Sequence, residues 1–314
     1  MQDCAKLSTS LDGEEDLIEL LLSDKRSPQT RKAYEYDLKL FFRFISGADP
    51  TPQTVIAFLS ATRFQANTAV TKFKAHLINR GLKEATINRK LAAIKSLVTI
   101  ARRVGRCDYT IDVPSERLKK YRDTSGVSPS DYKRVLELCD RTTLKGKRDF
   151  ALLVLLWSNA LRKGEAIGCN VGDFNADAGT LRILGKGRGT QYETVDLSLK
   201  AVEAIRNWLR ERRERDRNAP LFCSLDRSSP GHRLTGVAIY KIVVGYCNAA
   251  GIEKKMSPHR VRHSSITAAL DASDGNVRKV RKLSRHANLD TLMIYDDNRH
   301  QDQLELSELL DGLI

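Results

Sequence analysis

Two histidines and two arginines crowd one short stretch of the chain, Ser257-Pro258-His259-Arg260-Val261-Arg262-His263. Ser257 is a helix-capping residue type and Pro258 suits the first turn. A helix starting there puts His259, Arg262 and His263, at i, i+3 and i+4, on one face. Unsatisfied backbone N–H groups at the helix start, joined by the forked donors of an arginine, make that face a place for a phosphate. Two other readings stand beside it. Histidines at i and i+4 also have zinc-ligand spacing, although Arg260 replaces the glutamate of H-E-x-x-H and Arg262 would set a second positive charge beside any metal. Histidines can also simply be satisfied by hydrogen bonds within a core.

Other polar residues are less telling singly. Leu161-Arg162-Lys163-Gly164-Glu165 ends a long apolar helix, where an arginine ordinarily serves as a C-terminal charge. Gly185-Lys186-Gly187 lacks the G-x-x-x-x-G-K-[ST] spacing of a P-loop, and a lysine in a turn is normally just exposed. His286 precedes Tyr295 in Leu283-Ser-Arg-His-Ala-Asn-Leu-Asp-Thr-Leu-Met-Ile-Tyr295. Tyr240 and Tyr246, on an apolar helical stretch, read as packing residues.

The elements that must carry these residues follow from periodicity. From Ser27-Pro28, apolar Tyr34, Leu38, Phe41, Phe42 and Ile45 recur at helical spacing; a second helix starts at Thr51-Pro52, a third runs about Asn67 to Arg80, and a fourth runs Ala85 to Val104. Four or five helices without a strand pattern predict a helical bundle over residues 1–110. Lys72, Lys74, Lys83, Arg89, Lys90, Lys95, Arg102 and Arg103 decorate its later helices. The polar stretch 111–126, with Pro114 and Gly126, reads as a linker. Over 127–314, helical patterns at Ser130 to Asp140 and Arg148 to Ala160 give way to a β-hairpin, Leu181 and Ile183 answered by Val195 and Leu197. More helices follow at Leu199–Arg215, Thr235–Ala249, Ser257–Leu270, Asn276–Ser284, near Asp290–Asp296, and at Gln303–Leu310. The fold class is thus mainly α: a helical bundle, then a mostly helical α+β domain with a small antiparallel sheet.

Composition narrows the partner. The 314 residues hold 53 Lys and Arg against 39 Asp and Glu, a net charge of +14, which points to a polyanion. With 41% hydrophobic and 29% charged residues, disorder and a membrane-embedded body are both disfavoured. The longest apolar run, Phe150 to Trp157, is too short to span a bilayer. Met1 to Asp16 has neither a basic leader nor an apolar core, so no signal peptide is expected and the cytoplasm is the expected compartment. Six scattered cysteines without a C-x-x-C pair suggest packed, reduced thiols.

Taken in order, Arg…Lys…His-x-x-Arg…His…Tyr across one domain resembles the tyrosine recombinase (phage integrase) family, which includes Xer-type resolvases and integron integrases. The matching segments are RDFALLVLLWSNALRKGEAI, LGKGRG, SPHRVRHSSI and LSRHANLDTLMIY, and more weakly SPQTRKAYEYDLKLFFRFI in the first domain. The resemblance implies a core-binding bundle (1–110), a linker (111–126) and a catalytic domain ending in an interaction helix (127–314). It implies Tyr295 as nucleophile, Arg162 and Arg262 as clamps on the scissile phosphate, and Lys186 as general acid. His259 and His286 would assist proton transfer and phosphate binding, with Glu165 and His263 as supports behind them. Three features depart from the family pattern: Ser284-Arg285 replaces the usual Leu-Gly before His286, Ala160 replaces a common Gly, and the turn after Lys186 is longer than usual.

That chemistry fits those residue types. Two arginines neutralise charge on non-bridging oxygens, and a tyrosine with pKa near 10 must lose its proton as it attacks. The deoxyribose oxygen is a poor leaving group that a lysine acid would protonate. The implied reaction needs neither ATP nor a metal and no cofactor. The implied partners are double-stranded DNA and three further copies of the chain, a homotetramer on two synapsed sites, with no membrane. Rejoining to the original strand would be type IB topoisomerase-like strand passage, and a noncatalytic DNA-binding protein of the same fold would lack Tyr295 or an arginine. The apolar stripe Leu304, Leu306, Leu309, Leu310 and Ile314 would either pack on its own domain or dock into a neighbour.

Overall fold

A computed structural model describes residues 16–118, 126–185, 189–286, 289, 292–293 and 302–313, with no side-chain description at 302–306. The chain divides into two compact units, Met1–Lys119 and Lys120–Ile314. No described helix is long and apolar enough to cross a membrane.

Among the described residues the first unit is a bundle of five helices: α1 (Leu17–Ser23), α2 (Pro28–Ser46), α3 (Pro52–Leu59), α4 (Arg63–Asn79) and α5 (Glu84–Arg103). Side-chain caps start them. Ser27 accepts from the Thr30 N–H, while Thr51 and Thr62 each close a capping box, with Thr54 and Gln65. Gly47, at φ 78°, ends α2 in the left-handed conformation that a side chain would resist. Phe41 sits at the centre, edge-to-face with Phe42, Phe58 and Phe73 at centroid distances of 5.1–5.3 Å. The α1 helix, capped by Asp16 and burying Leu17, Ile18 and Leu21, is too short for its periodicity to announce it.

Two expectations are corrected here. Residues 111–118, expected to be linker, lie against the bundle: Tyr109, Ile111 and Val113 bury alternate side chains, a period-two pattern easily lost among polar neighbours. Polar side chains fasten the strip along its length. Asn67 accepts from the Asp112 N–H (2.7 Å), Lys95 donates to Val113 O (2.7 Å), Lys74 donates to Pro114 O (2.7 Å), and Asn88 accepts from the Glu116 N–H (2.7 Å). Several bundle cations are therefore engaged within the unit, although only Lys90 is buried. Lys90 is buried against Asp37 at 2.8 Å, Arg89 pairs with the same carboxylate, and Lys74 pairs with Glu116. Lys72, Lys83, Arg102 and Arg103 remain exposed.

The second unit comprises α6 (Pro129–Glu137), α7 (Leu144–Ser158), α8 (Lys163–Gly168), β1 (Phe174–Asn175), β2 (Thr180–Leu184), β3 (Tyr192–Asp196), α9 (Leu199–Arg212), α10 (Gly236–Ala249), α11 (Pro258–Asp271), α12 (Val277–Ser284) and α13 (Asp302–Asp311). Its axis is α7, buried without interruption from Arg148 to Leu156, so it lacks the polar face of a surface helix. Fully burying each of its leucines contributes about 1.5–3 kcal/mol of transfer free energy. The strands form one antiparallel sheet in the order β1-β2-β3, with Leu181 opposite Val195 and Leu184 opposite Tyr192. The two-residue β1 strand is below the length at which alternation is readable. Four buried cysteines, Cys139, Cys169, Cys223 and Cys247, are free thiols, and burial raises the pKa of each. Tyr246 approaches Asp149 at 3.3 Å, whereas Tyr240 is 37% exposed and does not fill the core as expected. On α13, Leu309 and Leu310 are exposed; the side chains of Leu304 and Leu306, and Ile314, lie outside the described residues.

Candidate active site

Arg162 occupies the N-cap of α8, where its backbone is extended rather than helical. Its backbone N–H donates to Glu165 Oε2 (2.8 Å) and its Nη1 donates to Glu165 Oε1 (2.7 Å), so one carboxylate caps the helix and orients the guanidinium. Its Nη2 reaches Arg285 O at 3.3 Å. The side chain keeps 27% of its surface accessible, which distinguishes it from a fully sequestered charge.

Arg262 emerges from the second turn of α11 and is 1% exposed. It donates to Ala160 O after α7 and to Ser284 O at the end of α12, and its Nη2 lies 3.4 Å from His286 Nε2. A guanidinium only donates, so His286 Nε2 is the accepting nitrogen there. Burial, with the charges of Arg262, Arg162 and Arg285, pushes the His286 pKa down to about 4, leaving the ring neutral at physiological pH. His259 and His263 are hydrogen-bonded through their Nε2 atoms at 2.8 Å, with His263 buried and His259 exposed at the helix start. Ser257 accepts from the Arg260 N–H (3.2 Å), fixing that start as expected from the sequence.

Glu165 is the buried hub, at 2% exposure. Burial works to raise its pKa, but the Arg285 charge and the hydrogen bonds from Arg162 overcome this and hold the carboxyl below its ordinary range. Ala160 (φ 44°) and Arg285 (φ 54°) both have left-handed backbone, the two positions where the sequence departs from a glycine of the family pattern. The local conformation therefore persists without glycine. Strain of this kind survives only where neighbours over-determine it, and here Arg262 and Arg285 both donate to the Ala160 carbonyl.

Among the expected site residues, Arg162, Glu165, Arg262 and His286 form one connected network, and His259 with His263 forms a pair on the same helix as Arg262. Lys186 follows β2, and Tyr295 follows α12; both lie outside the described residues. Arg285 was not among the expected site residues. Its one sequence signal is a bulky cation immediately before His286 at a helix C-terminus.

A three-stranded sheet beside a helical core thus accompanies two arginines and a neutral histidine gathered near helix ends, groups of the kind that bind a phosphate. The phage integrase family model matches residues 127–302, and the phage integrase N-terminal SAM-like domain model matches residues 15–105. The chain is 51% identical over 301 residues to Tyrosine recombinase slr0733 of Synechocystis sp. (strain ATCC 27184 / PCC 6803 / Kazusa), covering 96% of each chain. It is 47% identical to Tyrosine recombinase Synpcc7942_B2651 of Synechococcus elongatus (strain ATCC 33912 / PCC 7942 / FACHB-805), covering 95% of this chain and 94% of that one. Its fold is like that of the XerH site-specific recombinase in a post-cleavage complex with palindromic difH substrate. That match has a TM-score of 0.66 and 21% identity and covers 90% of this chain and 80% of that one. The chain belongs to the phage integrase family, and its enzyme class is that of the tyrosine recombinases.

Proposed function

We propose that this chain cuts and rejoins double-stranded DNA at specific sites through a 3′-phosphotyrosyl intermediate. The observation that carries the reading is the convergence of Arg162, Arg262 and His286, from three separate helix ends, on one network around Ala160, Ser284 and Arg285. In this scheme Arg162 and Arg262 neutralise the non-bridging oxygens of the scissile phosphate. The Tyr295 hydroxyl oxygen attacks phosphorus, its proton leaves toward a neighbouring histidine, and the P–O5′ bond breaks as Lys186 protonates the departing oxygen. His286, neutral before DNA arrives, accepts a proton more readily once phosphate charge offsets the surrounding arginines. A 5′-hydroxyl from a partner strand then attacks the phosphotyrosine, and the tyrosine is released.

The bundle of the first unit serves as a DNA-holding clamp (1–110, with 111–118 laid against it), and the unit from 127 onward performs strand transfer. Exposed Leu309 and Leu310 on α13 support docking into a neighbouring copy, consistent with four copies on two synapsed sites. Such an enzyme works in the cytoplasm, where the DNA of a bacterial cell lies.

Capture of covalent protein–DNA adducts tests the reading. Tyr295→Phe should abolish adducts and leave DNA affinity nearly unchanged, because phosphate contacts dominate binding. Lys186→Ala should slow cleavage about a hundredfold or more. A 5′-bridging phosphorothiolate, whose leaving thiolate needs no acid, should restore it. Adducts that persist in Tyr295→Phe overturn the nucleophile assignment. DNA binding without adducts in the unmodified chain points to a noncatalytic binding protein.

A further inference from the structure

The Arg285 guanidinium carries five N–H donors, and the structure gives each of the four on its terminal nitrogens an acceptor. Nη1 donates to Asn159 O (3.0 Å) and Leu283 O (2.7 Å). Nη2 donates to Ala160 O (3.3 Å) and Glu165 Oε2 (2.9 Å). Nε stands 3.1 Å from Glu193 Oε1 on β3. The side chain is 8% exposed, and the backbone beneath it is left-handed, at φ 54° and ψ 38°. Its terminal nitrogens are thus committed to three carbonyls and the Glu165 carboxylate within the protein. What the side chain does is join four pieces of the site: the end of α7, the N-terminus of α8, the end of α12, and the strand that follows the Lys186 turn.

We propose that Arg285 is a positioning residue for strand transfer: it fixes the second oxygen of Glu165, and through that carboxylate the guanidinium of Arg162, while tying β3 to the same hub. The proposal deepens the strand-transfer reading and rests on it for its catalytic consequence. Three facts favour positioning over simple filling of space. The residue keeps a conformation that costs a side chain energy, although a glycine would hold the same turn without that cost. Its main-chain carbonyl also accepts from Arg162, so backbone and side chain of one residue bracket the arginine from two sides. Finally, Arg262 and Arg285 share the Ala160 carbonyl, linking both proposed phosphate clamps through one strained peptide.

Glycine is therefore the informative substitution, since Arg285→Gly keeps the turn, relieves its strain and removes only the hub. Cleavage of a nicked suicide DNA should slow by about tenfold to a hundredfold in Arg285→Gly, the scale expected when a clamp is displaced by a fraction of an ångström. DNA affinity and melting temperature should change little. Arg285→Ala should slow cleavage equally while melting lower than Arg285→Gly, so that rate and stability part company. Arg285→Lys, with three donors and no planar fork, should recover part of the rate and not all of it.

A second readout does not depend on cleavage: the Arg162 Nε–Hε resonance, assigned by its loss in Arg162→Lys, should broaden or move in Arg285→Gly. An Arg285→Gly protein that cleaves at the unmodified rate and retains the Arg162 signal overturns the proposal, as does a rate that merely tracks melting temperature across the three variants. If the unmodified chain forms no adduct with any DNA, the strand-transfer reading falls, and the Arg162 resonance still decides whether Arg285 positions that arginine.

Discussion

Asp37 and Glu165 are buried carboxylates that each meet two cations, in different settings. In the bundle, Asp37 on α2 is fully buried and meets Arg89 and Lys90, neighbours in sequence on α5. In the second unit, Glu165 at the start of α8 meets Arg162 and Arg285, which lie far apart in the chain. The bundle triad sits mid-helix in regular backbone and pins α2 to α5, with the Arg89 side chain 42% exposed. The Glu165 triad sits at helix ends, beside left-handed residues, and leaves Arg162 partly open to solvent. Buried charge alone is therefore no mark of function. Nor is a partly open cation, since Arg89 keeps 42% of its side chain accessible against 27% for Arg162; what sets Arg162 apart is its place at a helix start, beside backbone groups that the helix itself does not consume.

The comparison breaks most visibly at Asp37. Replacing Asp37 with Ala strands Lys90 in the core and should cost about 3–5 kcal/mol of stability, read from urea unfolding. Pairing Asp37→Leu with Lys90→Met should recover most of that loss, because an apolar pair of similar volume is often as stable as a buried ion pair. A loss below about 1 kcal/mol for Asp37→Ala, the level of a surface pair, would mean that the triad is not sequestered.

Glu165→Gln sharpens the other side. The amide keeps the shape but loses the charge that balances Arg162 and Arg285, so cleavage should slow about tenfold to a hundredfold, with a stability change smaller than that of Asp37→Ala. If Glu165→Gln instead unfolds the protein as readily as Asp37→Ala while the folded fraction cleaves normally, the two triads are alike and both are structural.

The same contrast explains what could be read in advance. The α11 face was legible because His259, Arg262 and His263 follow a local helical rule and Ser257-Pro258 marks its start. The long helices were legible from their apolar spacing, and their caps from Ser27, Thr51 and Thr235. Arg285 was not, because its role depends on where its side chain folds back to after a left-handed turn, and no periodicity encodes that. Nor was Lys90, which shares a helix with exposed cations and is buried against Asp37, 53 residues earlier. Local patterns announce faces of elements, whereas charge pairing across elements is decided by the fold.

The smallest effect expected is a pH dependence that belongs to the open site. His286 has its pKa lowered from 6.5 to about 4 in the folded protein, so between those values the unfolded chain binds more protons than the folded one. Stability should therefore fall as pH drops from about 6.5 toward 4, the direction required when the unfolded state gains the proton. Glu165, whose pKa is also lowered, adds its loss only further down, in the carboxylate range. The quantity to measure is the difference between the unmodified chain and His286→Asn in urea titrations at successive pH values. The unmodified chain should lose more stability on acidification than His286→Asn, and Arg285→Gly, which removes one of the charges opposing protonation, should lie between them. A bound DNA phosphate offsets those same charges, so the excess should shrink in the DNA complex. Equal slopes for the unmodified chain and His286→Asn in free protein would show that this histidine is not held neutral by the arginines around it.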